Sequence, residues 1–224
     1  MASYSRAKVK VIDFGSSCYL TDRQSSYIQS RSYRAPEVVL GLPYNGKIDV
    51  WSMGCVVAEM FTGEVTFQND SMVSMLSRIE AICGPFPRHM IAQGRQSCRF
   101  FTKCGLLFEK VSGGRDDDDN KTPDVSEDED EDSHTGRPAV FDIFQPKTTT
   151  LSSRLGFPAA LHDRYMAGAA LSPKEKKEAM FIDFVRKTLS VDPDSRPSAA
   201  EALKHPWMVY AASLTEEDIK YPSN

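Results

Sequence analysis

The 224 residues contain no run of about 18 consecutive apolar side chains, the length that a membrane-crossing helix needs. No membrane association is therefore read from the sequence. The start, Met1-Ala2-Ser3-Tyr4-Ser5-Arg6, carries no apolar stretch of the kind that drives secretion. Paired cysteines are also missing. The five (Cys18, Cys55, Cys83, Cys98, Cys104) are odd in number, scattered, and never in a C-x-x-C arrangement. That pattern excludes a disulfide framework and a cysteine zinc site, and it points to free thiols in a reducing compartment, cytoplasm or nucleus. There is no overall basic excess either: the net charge is −4, and no nucleic-acid partner is evident.

That charge hides two regions. Between Arg115 and Arg137 stand 11 acidic residues and three basic ones, which leaves 24 basic and 20 acidic residues for the rest. The acidity is thus confined to one stretch, and the remainder is mildly basic. Residues 113–138 cannot bury enough apolar surface to order themselves and are expected to be a disordered insert. The run Asp116-Asp117-Asp118-Asp119-Asn120 is no calcium-binding EF-hand, because Lys121 stands where the turn glycine belongs. Ser126-Glu127-Asp128-Glu129 has the character of a site for an acidophilic kinase.

Outside the insert the sequence is largely helical. Lys8 to Ile12 alternates and reads as a short strand, followed by a polar loop from Ser16 to Ser32. Ile48 to Phe61 is a helix apolar on most sides, which implies burial on most sides. Met72 to Cys83 keeps the 3.6-residue period and stops at Gly84-Pro85. Lys174 to Leu189 is amphipathic. Ser198 and Glu201 form a capping-box pattern for a last helix, Ala199 to Lys204, which His205-Pro206-Trp207 is expected to end. Residues 1–210 are read as one unit interrupted by the insert, and 211–224 as a tail.

Four short motifs occur in order: Asp13-Phe14-Gly15, Ala35-Pro36-Glu37, Asp49-x-Trp51-Ser52-x-Gly54 and Asp192-Pro193-x-x-Arg196-Pro197. Each is weak alone; their order and spacing are not. Here the chain resembles the C-terminal lobe of eukaryotic protein kinases, from the metal-binding loop to the last helix. The fold implied is mainly α, the C-terminal lobe of the protein-kinase-like (α+β) fold with the N-terminal lobe absent. The resemblance implies ATP and Mg²⁺ as cofactors, with Asp13 as a metal ligand, because a hard divalent cation takes oxygen donors. It also implies that Gly15 permits the turn, that Phe14 packs inward, that Glu37 pairs with Arg196, and that Asp49 holds the catalytic-loop backbone. On the residues alone, Glu37 and Arg196 could be solvated charges and Asp49 a simple helix N-terminal carboxylate.

The stretch Ser26-Tyr27-Ile28-Gln29-Ser30-Arg31-Ser32-Tyr33-Arg34-Ala35-Pro36-Glu37, with Leu40-Gly41-Leu42-Pro43-Tyr44, is similar to the dual-specificity tyrosine-regulated kinases. Many members carry Tyr-x-Tyr and autophosphorylate the second tyrosine. Tyr27 matches that position, while Ser25 replaces the first. The resemblance places Arg31 and Arg34 against the phosphate on Tyr27, and it implies protein substrates phosphorylated at Ser or Thr before proline.

Other parts of the family pattern do not occur. Only twelve residues precede Asp13, so the Gly-rich loop, the strand lysine, the helix glutamate and the H-R-D-x-x-x-x-N catalytic loop are not found. No catalytic-loop residue is therefore assigned. The expectation is a fragment of a Ser/Thr kinase that is inactive alone, as in a gene model begun at an internal Met. The rivals are a non-catalytic scaffold or decoy and a fragment without function.

Overall fold

A computed structural model describes residues 10–19, 21, 28–111, 140–146 and 148–214. The polypeptide is organised around helix α2, Lys47–Thr62, whose buried face carries Ile48, Val50, Trp51, Gly54, Cys55 and Ala58. Before it comes the one-turn helix α1, Pro36–Val39, with proline at its first position, where a missing N–H costs nothing. After it come α3, Met72–Cys83, and α4, Arg88–Gln93. Ser71 and Ser74 cap α3 reciprocally, and the helix buries Val73, Met75, Leu76 and Ile79.

Helix α2 crosses α7, Pro173–Thr188, at Gly54. A Cβ at Gly54 would sit 2.6 Å from Thr188 Oγ1 and 3.0 Å from Leu189 Cδ2, so the glycine of the Trp-Ser-x-Gly motif sets the helix separation. Trp51, fully buried, stacks on Phe67 at 5.5 Å between ring centres. Phe61 bridges outward to Phe157 and Phe181. The short helices α5, Leu151–Arg154, and α6, Leu161–Met166, pack against α7 and close the core.

Several expectations are corrected. Residues 10–12 are not a strand; Val11 and Ile12 are exposed and pair with no neighbouring strand among the described residues, while the rest of Lys8–Ile12 lies outside those residues. The sheet lies elsewhere: β1, Leu107–Val111, pairs antiparallel with β2, Val140–Phe144, in the register Leu107↔Phe144 to Val111↔Val140. The acidic insert falls between these strands, and its expected disorder concerns residues outside those described. Helix α2 is not buried on nearly all sides, since Met53, Val56, Met60 and Phe61 lie on an open face.

His205-Pro206-Trp207 does follow the end of a helix, but that helix is not the last. Helix α8, Ala199–Ala202, has the expected Ser198/Glu201 capping box. The tripeptide then starts α9, Pro206–Ser213, which runs into the segment read as tail. His205 Nδ1 accepts the Trp207 N–H at 3.2 Å and proline fills the first position, so the three residues work as an N-terminal cap. Because Nδ1 accepts, Nε2 carries the proton, and it donates to Asp183 Oδ2 at 3.0 Å. Burial alone would raise the Asp183 carboxyl. Hydrogen bonds from Lys187, His205 and His162 outweigh that and hold it below the usual carboxylate range. This cluster fastens α6 and α9 to α7.

Candidate functional site

The site begins at Asp13, which adopts the left-handed backbone region with φ 61°. Its Oδ1 accepts the Gly15 N–H at 3.3 Å. The Ser17 N–H and hydroxyl both donate to the Phe14 carbonyl, at 3.0 and 2.6 Å, closing a one-turn 3-10 segment over Phe14–Ser16. The Asp-Phe-Gly turn is therefore built from its own short-range bonds. The expected inward packing of Phe14 is not found: its side chain is 68% exposed and belongs to no part of the core. Asp13 keeps one carboxylate oxygen outside that turn bond, so a divalent cation carried on phosphate oxygens fits it. Such an ion usually keeps several waters and takes one or two carboxylates. Among the described residues no group of three or more His, Cys, Asp or Glu is placed to hold a metal by protein ligands alone.

Ser16 to Tyr19 face Ile28, Gln29 and Tyr44 to Asp49 across a cleft of about 180 Å³. That volume is below the roughly 300–1,000 Å³ of small-molecule pockets, too small for a whole nucleotide. Asp49 lies exposed in the first turn of α2 and lines this cleft.

The other wall is organised by Gln29, which the sequence reading passed over. Gln29 is a non-glycine residue at φ 63°, a conformation costing about 1–2 kcal/mol. Its side-chain amide offsets that cost. Nε2 donates to Ile48 O at 2.9 Å and to Ser52 Oγ at 2.8 Å, and Oε1 accepts the Ala35 N–H at 2.9 Å. Ser52, in turn, donates to Tyr33 O at 2.8 Å. One side chain thus joins the loop, the Ala-Pro-Glu turn and α2. No periodicity marks such a residue; a lone amide between a tyrosine and Ala-Pro-Glu is the only hint.

Arg34 was assigned to the phosphate on Tyr27. Its Nε and Nη2 donate to the backbone carbonyls of Ile28 and Gln29, at 3.0 and 2.9 Å. The fork is aimed at the turn, because the left-handed Gln29 presents both carbonyls on one side. Arg31 is exposed in the 3-10 turn Arg31–Tyr33. Tyr27 lies outside the described residues, so its pairing with either arginine does too. Tyr33 donates its hydroxyl to Glu59 Oε2 at 2.8 Å, and this bond pushes the phenol above its ordinary range.

Behind this wall the expected Glu37–Arg196 pair is present and fully buried. Nη1 meets Oε1 at 2.7 Å and Nη2 meets Oε2 at 2.9 Å, with both side chains at most 1% exposed. Nε donates to Ser190 O, Nη1 also to Lys47 O, and Nη2 also to Val191 O. All five N–H groups of the guanidinium are used. Its plane lies over Trp51, 5.1 Å from the ring centre. Lys47 adds a bond from Nζ to Pro193 O at 2.8 Å, tying the Asp-Pro-x-x-Arg turn to the start of α2.

Comparison with known proteins agrees with this geometry. The family model described as the protein kinase domain matches residues 1–208. The chain is 35% identical over 205 residues to the serine/threonine-protein kinase ppk15 of Schizosaccharomyces pombe, covering 91% of this chain and 36% of that protein. It is 32% identical over 204 residues to ppk5, a serine/threonine-protein kinase of the same yeast, covering 91% of this chain and 19% of that protein. The dual specificity tyrosine-phosphorylation-regulated kinase 3 of Rattus norvegicus is 30% identical over 219 residues, 93% of this chain and 31% of that protein. The chain thus spans between a fifth and just over a third of these relatives. With the protein kinase domain model matching nearly the whole chain, this chain belongs to the protein kinase domain family.

Proposed function

We propose that the chain is the substrate-side, C-terminal-lobe portion of an ATP-dependent Ser/Thr kinase of the dual-specificity tyrosine-regulated type. The observation carrying this reading is the wall formed by Gln29, Arg34 and the buried Glu37–Arg196 pair. In such a kinase Mg²⁺ bridges the nucleotide phosphates and neutralises charge that builds on the transferred group. Asp13 would hold that ion through its free carboxylate oxygen. The remaining residues position the acceptor peptide.

Selectivity for proline after the acceptor Ser or Thr follows from one bond. The Gln29 carbonyl, at the loop edge, is already taken by Arg34 Nη2. A peptide residue bearing an N–H there would find no acceptor and would lose its bonds to water. Proline has no N–H to lose. Phosphorylation of Tyr27 in cis would add about −1.5 to −2 charge, for which Arg31 is the exposed cation beside the loop. The free thiols suit a reducing compartment, cytoplasm or nucleus.

The chain holds no H-R-D motif, so the base and the second metal ligand of a complete kinase are not among its residues. Within this reading the chain alone binds and displays a substrate platform without turnover. A scaffold or decoy is the second reading, favoured by the self-contained bonding of that platform. The experiment is to read the in-frame sequence upstream, rebuild the domain from it, and assay proline-containing peptides. Asp13→Ala should abolish transfer, and Ser-Pro peptides should exceed Ser-Ala peptides at least tenfold. An upstream stop codon, or a rebuilt domain indifferent to Asp13, decides for the scaffold.

A further inference from the structure

Between α4 and the turn leading into β1 lies a groove of about 660 Å³, lined by Arg88, Ile91, Cys98, Phe101, Lys103 and Cys104 among others. Nothing in the substrate wall uses it. Two thiols share it, and both are exposed. The rest of its frame is fixed: Phe101 is buried and packs edge-on against Phe86. Thr102 N–H donates to Leu106 O at 2.8 Å, and Leu106 N–H returns to Thr102 Oγ1 at 3.0 Å. With that hydroxyl oxygen accepting from Leu106, its own proton is free to point at Cys104 Sγ, 3.0 Å away.

We infer that this groove is a site of thiol–disulfide exchange at Cys104 with an anionic low-molecular-weight disulfide, Cys98 being the second thiol on the same wall. A thiolate, not a thiol, attacks a disulfide. Thr102 Oγ1 and Cys104 Sγ lie within hydrogen-bond distance; with the hydroxyl as donor the bond favours the thiolate and is the chief cause of a thiol below its ordinary range. Arg88 and Lys103, both exposed, give the groove two cations for the carboxylates of the incoming molecule. In the first step Cys104 sulfur bonds to one sulfur of the disulfide. The S–S bond breaks, and the other half departs as a thiolate that takes a proton from water. In the second step the Cys98 thiolate attacks Cys104 sulfur and expels the bound half as a second thiolate. The small disulfide is reduced to two thiols, and the protein pair is oxidised by two electrons.

The other cysteines differ. Cys55 and Cys83 are pushed upward by burial, Cys83 to about 12, and are poor nucleophiles. Cys18 is exposed and provides an internal standard. The groove also communicates with the substrate wall, because Gln96 N–H donates to Leu40 O and Arg95 Nε to Gly41 O, just beyond α1.

The test uses the whole chain, oxidised glutathione as the probe, and peptide mass spectrometry at neutral pH. The expected product is a mixed disulfide on Cys104 or a Cys98–Cys104 disulfide, formed at least about threefold faster than any product on Cys18. Thr102→Val should slow Cys104 and move the midpoint of its pH–rate profile upward, while Thr102→Ser should keep both near wild type. Cys104 reacting no faster than Cys18 would overturn the proposal, as would a folded Thr102→Val with an unchanged profile. If Thr102→Val does not fold, the comparison of Cys104 with Cys18 in the wild-type chain decides alone.

Discussion

The Glu37–Arg196 pair offers the sharpest test of how the substrate wall is held. Arg196→Ala removes five donated bonds at once: two to Glu37 and one each to the carbonyls of Ser190, Lys47 and Val191. It strands a carboxylate that is 0% exposed and opens a cavity under Trp51. Glu37→Ala strands a guanidinium that cannot deprotonate, although three carbonyls still face it. Breaking one partner of a buried pair costs about 3–5 kcal/mol, and the attraction between unit charges about 4 Å apart is about 4 kcal/mol at an effective dielectric near 20. Each single variant should therefore lose about 3–5 kcal/mol, with Arg196→Ala the worse, against a total stability of about 5–15 kcal/mol for a domain. The double variant removes both charges and should cost less than the two singles summed, with a coupling of at least about 2 kcal/mol. Urea unfolding of the rebuilt domain, followed by tryptophan fluorescence, measures all four states. Additive losses, or single losses under about 0.5 kcal/mol, would show that the pair is not what holds α1 to the core.

Four further outcomes are expected. Gly54→Ala should destabilise by about 1–3 kcal/mol, read in the same melts, because its methyl group would meet Thr188 Oγ1 at 2.6 Å; a neutral substitution would mean that α2 and α7 can separate freely. Asp183→Asn should flatten the acid limb of the stability–pH curve: the folded carboxyl lies below its unfolded range, so its contribution is full above about pH 4 and is lost as pH falls through the folded value. An unchanged acid limb in that variant would remove Asp183 from the account. Gln29→Ala should lower turnover of Ser-Pro peptides by raising KM, measured by peptide kinetics in the rebuilt domain, since three bonds that shape the loop disappear; wild-type KM would show that the amide is not needed to shape the wall. Last, the chain by itself should transfer no radiolabelled phosphate to a basic protein, and transfer that Asp13→Ala abolishes would contradict its reading as a platform.

What the sequence revealed follows from the range of the interactions involved. The Ser198/Glu201 capping box is a matter of four residues, and it is present in the expected place. Helix α3 carries its own period and is found with the expected bounds. The Glu37–Arg196 pair spans 159 positions, and no local signal links its partners; it was legible only because each residue sits in a motif. The hairpin of β1 and β2 was missed because its strands are five residues each and the acidic run separates them. His205-Pro206-Trp207 follows the end of α8 as expected, but helix α9 was missed because proline can also begin a helix, which the His205 Nδ1 bond reveals.

One part of the site departs from the expectation. Phe14 was expected to be buried, and that expectation assumes neighbours that the motif itself does not specify. The structure shows where the specified bonds stop. Gln29, Ser52 and Ala35 are joined by part-buried bonds, and Glu37 continues to the buried Arg196, so the wall is anchored to α2 and the core. Among the described residues the Asp-Phe-Gly turn is held by its own local hydrogen bonds, and Phe14 is exposed. A wall anchored to the core and a metal loop held by a single turn make different demands. The wall can keep its shape as peptides come and go, whereas the position of Asp13 must be set by whatever packs against Phe14. Under the kinase reading proposed above, this division would let the wall persist while the position of Asp13 depends on what docks at the exposed aromatic ring.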